Sequence, residues 1–296
     1  MSKAANAEAP RAGSSVAPRR AGPTARFDEP RPVLSVIVPV YNEAATVDAL
    51  LGRVLAAAYA KQVIVVDDGS TDATAEVLER WRGSRHVELL RHPANRGKGA
   101  AIRTALERAE GRFTVIQDAD LEYDPQDYPR LIEPLLCARA EAVYGSRRLG
   151  RGRCGRDWLN PFYHGVSLLN LAIRLLYGVR LTDEATCYKA FPTALLRAMD
   201  LQCERFEFCP EVTAKACRLG ARIVEVPIRY DARSRRAGKK IRWRDGLAAL
   251  MTLWRWRHWR APAPPGDAHE GGRSHRIARE TPAQASGTVP LGRQEG

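Results

Sequence analysis

Short β-branched runs separated by helical patterns constrain this chain most. Residues 34–38, 62–66 and 113–117 are nearly all apolar, and 87–90 is a shorter run of the same kind. Between the first two, Val47, Leu50, Leu51, Val54 and Leu55 recur at helical spacing within 43–60. A strand with one wet face alternates polar and apolar residues, whereas a strand buried on both faces is apolar throughout. Strands of the second kind joined by helices imply an α/β fold: a mostly parallel sheet flanked by helices. Asn42 and Asp72 stand where they can cap the first two helices, and 99–109 reads as a third helix.

Beyond residue 125 the pattern loosens. Helices are expected at 128–139, 158–177, 192–199 and 210–219, strands at 142–144 and 221–230, and an aromatic-rich helix at 243–259. Residues 1–32 and 261–296 are rich in Ala, Pro, Gly and Arg without an apolar period, which reads as disordered extensions. The folded domain is then expected at 33–240, followed by an amphipathic Trp/Arg-rich segment at 241–260.

The formal net charge is +13, and part of the excess is concentrated: Arg233, Arg235, Arg236, Lys239, Lys240, Arg242, Arg244, Arg255, Arg257 and Arg260 are opposed only by Asp245. Such a field attracts phosphorylated substrates, anionic lipid or nucleic acid. A nucleic-acid-binding protein is disfavoured, because the acidic loops described next would repel phosphate without a metal. The cysteines form no Cys-x-x-Cys pair and the histidines are scattered, so a zinc site is not expected. The N-terminus lacks an apolar signal core, and no stretch has the ~18 uninterrupted apolar residues of a membrane span. The expectation is a cytoplasmic chain, peripheral at the membrane face, where Trp254, Trp256 and Trp259 among arginines suit the lipid interface.

Polar chemistry follows the strand ends. Pro39, Tyr41, Asn42 and Glu43 follow the first run, and Asp67, Asp68, Gly69 and Ser70 the second. Asn95 to Gly99 open a helix, with Gly97 and Gly99 able to admit a phosphate at its N-terminus. Asp118, Asp120 and Glu122 alternate just beyond the 113–117 run. Ligands of open α/β sheets sit outside the carboxyl ends of the strands. Mg²⁺ or Mn²⁺ prefers oxygen donors and often takes only one or two carboxylates plus substrate phosphates. Each loop alone is an ordinary turn; together and in this order they describe a phosphate-handling site.

These loops resemble family 2 glycosyltransferases of the GT-A fold. In the second half, Gly145-Ser-Arg147, the Thr186–Phe191 stretch, Val224–Ile228 and Gly238–Ile241 are similar to the dolichol-phosphate mannosyltransferase branch. The resemblance covers about residues 33–257. It implies a nucleotide diphosphate sugar donor (GDP-mannose or UDP-glucose), a polyprenyl phosphate acceptor, a divalent cation, and one displacement with inversion. Pro39, Tyr41, Glu43, Asp67 and Asp68 would then surround base and ribose, with Lys98 also in the nucleotide-sugar site. Asp118 and Asp120 would bridge metal and diphosphate, with Glu122 a third ligand where this branch often has Gln. Arg147 would contact phosphate, and Arg233, Lys239 and Lys240 would close over the donor and acceptor phosphates. A further basic residue is expected near the start of the 158–177 helix, where Arg156 and His164 are the candidates. A soluble acceptor is the alternative. An acceptor monophosphate is already anionic near neutral pH, its second pKa being ~6, so no dedicated general base is required.

Overall fold

The computed structural model describes residues 32–59, 61–150, 161–232 and 243–262. The first half alternates as expected: β1 (Leu34–Val40), α1 (Val47–Ala56), β2 (Lys61–Asp67), α2 (Thr74–Glu79), β3 (Val87–Arg91), α3 (Lys98–Arg108) and β4 (Phe113–Ile116). A 3₁₀ turn at Pro125–Asp127 leads into α4 (Tyr128–Leu136), β5 (Ala142–Ser146) and α5 (Pro161–Tyr177). Then follow β6 (Lys189–Pro192), α6 (Thr193–Ala198), α7 (Phe208–Arg218), β7 (Ile223–Pro227) and α8 (Trp243–Trp256).

One sheet carries the fold, in the order β3-β2-β1-β4-β6-β5-β7. β1 pairs in parallel with β2 and β4, β2 with β3, and β5 with β7. β6 was not expected, and it is antiparallel to both neighbours, β4 and β5. Since β6 reverses and β5 reverses again, the other strands share one direction. The carboxyl ends of β1, β2, β4 and β5 therefore meet at one edge. Val36, Val38, Val63 to Val66, Val115, Val143 and Phe191 are buried, so the sheet is covered on both faces.

The helix starts correct one of the two capping expectations and bear out the other. Asn42 does not cap α1: its φ is +54°, its Oδ1 accepts from the Thr71 N–H (2.8 Å), and α1 begins at Val47 after Thr46. Asp72 does what a cap does, accepting from the Thr74 N–H (3.0 Å) at the head of α2.

A second apolar cluster joins α5, α7 and α8 through Leu169, Ile173, Ala214, Ala249, Leu253 and Trp256. At its centre Lys215 and Glu211 form an ion pair (2.6 Å) with both side chains fully buried. The pair survives burial because its remaining groups are satisfied. Lys215 Nζ also donates to the Asp200 carbonyl (2.6 Å) and lies 4.0 Å from the Trp256 ring, while Glu211 accepts from the Gln202 and Cys203 N–H groups. Removing one member leaves a buried charge uncompensated, at a cost of about 3–5 kcal/mol. Glu211→Ala is expected to lower the unfolding free energy by about that much, measured by urea denaturation; a loss under ~1 kcal/mol would place the pair among surface-like bridges.

Candidate active site

Asp68 organises the loops. Its buried carboxylate accepts from the Arg96 N–H (3.0 Å) and Gly97 N–H (2.7 Å), and lies 2.6 Å from His92 Nδ1. His92 Nε2 in turn reaches the Thr104 hydroxyl on α3 (2.9 Å). Asp68 was expected beside base and ribose; its oxygens are instead committed to the 92–97 loop. Three donors converge there because β2 and β3 are parallel with Asp67 opposite Arg91, which sets His92 beside Asp68. His92 carries no sequence signal beyond that register.

Asp67 ends β2, and its Oδ1 accepts from the Ser70 N–H (2.9 Å). Its Oδ2 is buried without a hydrogen bond, although the Arg91 guanidinium lies 3.3 Å away. Pro39, Tyr41 and Glu43 are half-buried around the end of β1. That loop is tied to the one after β2: the Asn42 N–H donates to Ser70 Oγ (3.0 Å) and the Glu43 N–H to Thr74 Oγ1 (2.9 Å).

The glycines before α3 serve the chain itself. Gly97 has φ +99°, and a Cβ there would come 2.5 Å from the Glu204 carbonyl oxygen. At Gly99 a Cβ would come 2.3 Å from the Cys203 carbonyl oxygen. Glu204 O also accepts from the Ala100 N–H (2.9 Å), so the chain's own backbone occupies part of the helix terminus expected for phosphate.

Lys98, first residue of α3, reaches across to β4. Its Nζ donates to Asp118 Oδ1 (2.5 Å) and lies 3.2 Å from Cys187 Sγ. Burial alone would lower the Lys98 pKa; Asp118 outweighs it and holds the ammonium well above lysine's usual range. A raised lysine stabilises fully below its unfolded pKa of ~10.4 and loses that contribution only above its folded one. The Lys98 ammonium therefore stays charged across the neutral range. Burial, reinforced by Asp118, pushes the Cys187 thiol well up, so it is no thiolate nucleophile.

The acidic turn is folded tighter than alternate spacing implied. Ala119 and Asp120 form a turn, Leu121 is left-handed (φ +60°), and the Glu122 N–H donates to Asp120 Oδ1 (3.3 Å). Glu122 Oε2 accepts from the Tyr230 hydroxyl (2.6 Å). The three carboxylates do not converge, and among the described residues no group of three or more His, Cys, Asp or Glu side chains is arranged to hold a metal. Below the turn, buried Gln117 accepts from the hydroxyls of Tyr128 (2.8 Å) and Tyr188 (2.6 Å). Asp118 and Asp120, half-buried oxygen donors at the end of β4, remain a chemically suitable pair for a hard cation that takes its other ligands from a diphosphate.

Arg147 follows β5 and is held by a partner the sequence did not reveal. Its Nε and an Nη each donate to Asp183 at 2.7 Å, and its guanidinium lies 5.1 Å from the Tyr230 ring. Burial opposes the Asp183 charge, but Arg147 prevails and lowers its pKa. Glu225 on β7 fixes the approach by accepting from the Thr182 and Asp183 N–H groups (2.7 and 2.9 Å). Arg233, Lys239, Lys240 and Arg156 lie outside the described residues. His164 is exposed on the first turns of α5.

With this geometry in place, the chain matches the profile described as "Glycosyl transferase family 2" over residues 35–203. The chain belongs to glycosyl transferase family 2. This glycosyltransferase is 34% identical over 206 residues to an undecaprenyl-phosphate mannosyltransferase of Micrococcus luteus, covering 66% of the chain and 82% of that protein. It is 31% identical to an undecaprenyl-phosphate 4-deoxy-4-formamido-L-arabinose transferase of Aeromonas hydrophila, covering 75% of the chain but only 65% of that protein. Among solved structures it superposes on the mannosyltransferase PcManGT of Pyrobaculum calidifontis, in complex with GDP-Man and Mn²⁺, with TM-score 0.57, 26% identity, and coverage of 78% and 66%. The glucosyl-3-phosphoglycerate synthase of Mycobacterium tuberculosis aligns with TM-score 0.58 over 76% and 80% at 20% identity, a likeness of fold. The GT-A-like α/β architecture expected for this glycosyltransferase is thereby established.

Asp68→Ala in this glycosyltransferase removes the acceptor of three converging groups. It is expected to lower the thermal midpoint by several degrees, about 3 kcal/mol, and to speed amide exchange at Arg96 and Gly97. Unchanged exchange there would show that the loop does not depend on Asp68.

Proposed function

We propose that this enzyme transfers a hexose with inversion from a nucleotide diphosphate sugar to a polyprenyl monophosphate, with a divalent cation at Asp118 and Asp120. The donor is a mannose or glucose nucleotide, GDP-mannose ahead of UDP-glucose. The observation that carries the reading is the Lys98–Asp118 pair at the end of β4, a cation beside a carboxylate where a metal-bound diphosphate belongs. The polyprenyl-phosphate acceptors named for the Micrococcus and Aeromonas relatives support the acceptor class.

Pro39, Tyr41, Glu43 and Asp67 border the space for base and ribose, and Asp68 holds the adjoining loop. Mg²⁺ or Mn²⁺, held by Asp118 and Asp120, would neutralise charge on the diphosphate. Lys98 and Arg147 add fixed positive charge as the anomeric carbon–oxygen bond breaks and its electron pair leaves with the diphosphate. An acceptor phosphate oxygen forms the new bond from the opposite side. Arg233, Lys239 and Lys240 are assigned to hold the two phosphates together.

A lipid acceptor calls for contact with a lipid surface. No helix among the described residues is long and apolar enough to cross a membrane. Two neighbouring helices instead expose apolar stripes: Leu168, Leu171 and Leu175 on α5, and Leu247, Met251 and Trp254 on α8. Trp256 packs inward, while Trp254 lies exposed under the Arg257 guanidinium (3.8 Å). With Arg174 and Arg255 also exposed, this face suits anionic lipid at the cytoplasmic side of the membrane.

Two measurements test the reading. In a thermal-shift panel of nucleotide sugars, one nucleotide should stabilise the wild type only with Mn²⁺, and Asp118→Asn and Asp120→Asn should each abolish that shift. Transfer to a short-chain polyprenyl phosphate should follow with the same donor; no transfer with any common donor sinks the proposal. For the membrane face, Leu175→Glu and Trp254→Glu together should cut co-sedimentation with anionic vesicles at least fivefold while leaving the nucleotide shift intact.

A further inference from the structure

Tyr230 has no assigned role, yet it touches both the acidic turn and Arg147. It lies just beyond β7, where Tyr123 and Tyr230 form an isolated antiparallel bridge. The Asp231 N–H donates to the Glu122 carbonyl (2.9 Å), so the backbone just past this bridge is joined to the acidic turn. The Tyr230 hydroxyl donates to Glu122 Oε2 (2.6 Å). Its ring meets Tyr123 at 5.2 Å between centroids and the Arg147 guanidinium at 5.1 Å. A single phenol therefore contacts the acidic turn through its hydroxyl and the phosphate-side arginine through its face.

Arg147 and Glu122 carry opposite charges on different strands' loops, and no direct hydrogen bond between them is seen among the described residues. Arg147 spends two donors on Asp183. Glu122 turns one oxygen to Tyr230. The aromatic face attracts the guanidinium through its quadrupole, and the hydroxyl makes a charge-assisted hydrogen bond to the carboxylate. The two interactions lie on different parts of the same rigid side chain, so they fix a distance between the groups as well as each orientation.

We infer that Tyr230 is a positioning residue that sets the acidic turn at a fixed spacing from Arg147, and that it tunes how tightly a metal–nucleotide complex is held. The inference rests on the glycosyltransferase reading above and extends it to a residue that takes part in no bond-making. Glu122 then acts at the turn through its hydrogen bond as much as through its charge.

The test uses the full chain, with calorimetric titration of GDP and of UDP at varied Mn²⁺ and no acceptor. Tyr230→Phe keeps the ring over Arg147 and removes the hydroxyl. It should raise the Mn²⁺ concentration for half-maximal nucleotide binding about tenfold, the scale of one charge-assisted hydrogen bond, with a small change in thermal midpoint. Tyr230→Leu, which also removes the ring, should raise it further. In a Glu122→Ala background Tyr230→Phe should cost clearly less than in the wild type, because the hydrogen bond to Glu122 is already gone. Glu122→Gln retains an acceptor for the hydroxyl and should fall between wild type and Glu122→Ala. Wild-type behaviour of Tyr230→Phe, or the same loss with and without the Glu122 side chain, overturns the inference. Amide exchange at Asp231 and Glu122 gives a readout free of nucleotide: it should quicken in Tyr230→Phe, and unchanged exchange also overturns the inference. Failure of the wild type to bind either nucleotide would instead count against the donor assignment, with the exchange result still deciding the role of Tyr230.

Discussion

The buried carboxylate of Asp68 is the tie on which the loops at the carboxyl edge of β2 and β3 depend. A carboxylate that loses water must find other donors, and here they are the Arg96 and Gly97 N–H groups and the His92 ring. Satisfying one charge thus fixes the whole loop from β3 into α3. The start of α3 follows, and with it Lys98, whose reach to Asp118 links two separate strand ends. Ligand-facing geometry at this edge is inherited from a charge that faces inward.

A second regularity is that the two described cations at this edge, Lys98 and Arg147, are each paired with a carboxylate. Lys98 is opposed by Asp118 and Arg147 by Asp183. Pairing keeps each head in place, since an unpaired guanidinium or ammonium would turn to water. It also means that an incoming diphosphate competes with carboxylates. Under the proposed function, a metal-bound diphosphate would displace them through its higher charge, while a singly charged ligand would not. Paired arginine and lysine thereby discriminate by charge as well as by shape.

Much of the first half was legible because buried parallel strands are written as unbroken apolar runs, and β1, β2 and β4 appear where those runs do. β6 was not. Its four residues include Lys189 and Pro192, a poor strand by composition. The pairing is possible because the fully buried Lys189 ammonium finds the Glu184 and Thr186 carbonyls and the Tyr144 ring. The acidic turn and Arg147 were legible as residues but their partners were not. Asp183 lies 36 positions from Arg147, and Tyr230 lies 108 from Glu122. Gly97 and Gly99 were read as room for phosphate, whereas the room is taken by the 203–204 backbone. A glycine signals close approach without saying of what.

The reversed strand β6 has a consequence for how the chain can be divided. It covers β4 by pairing Phe113 with Pro192 and Val115 with Ala190. A fragment ending after β5 would contain every loop that follows β1 to β4, and would look like a self-sufficient nucleotide-binding module. It would also leave Phe113–Ile116 with one side unpaired, an apolar edge open to strands of other molecules. Such a fragment would tend to self-associate, and it would lack Asp183, which arrives on the approach to β6. The first half of this enzyme is thus expected to need the second for a protected edge, because the strand that pairs with β4 comes from the second half.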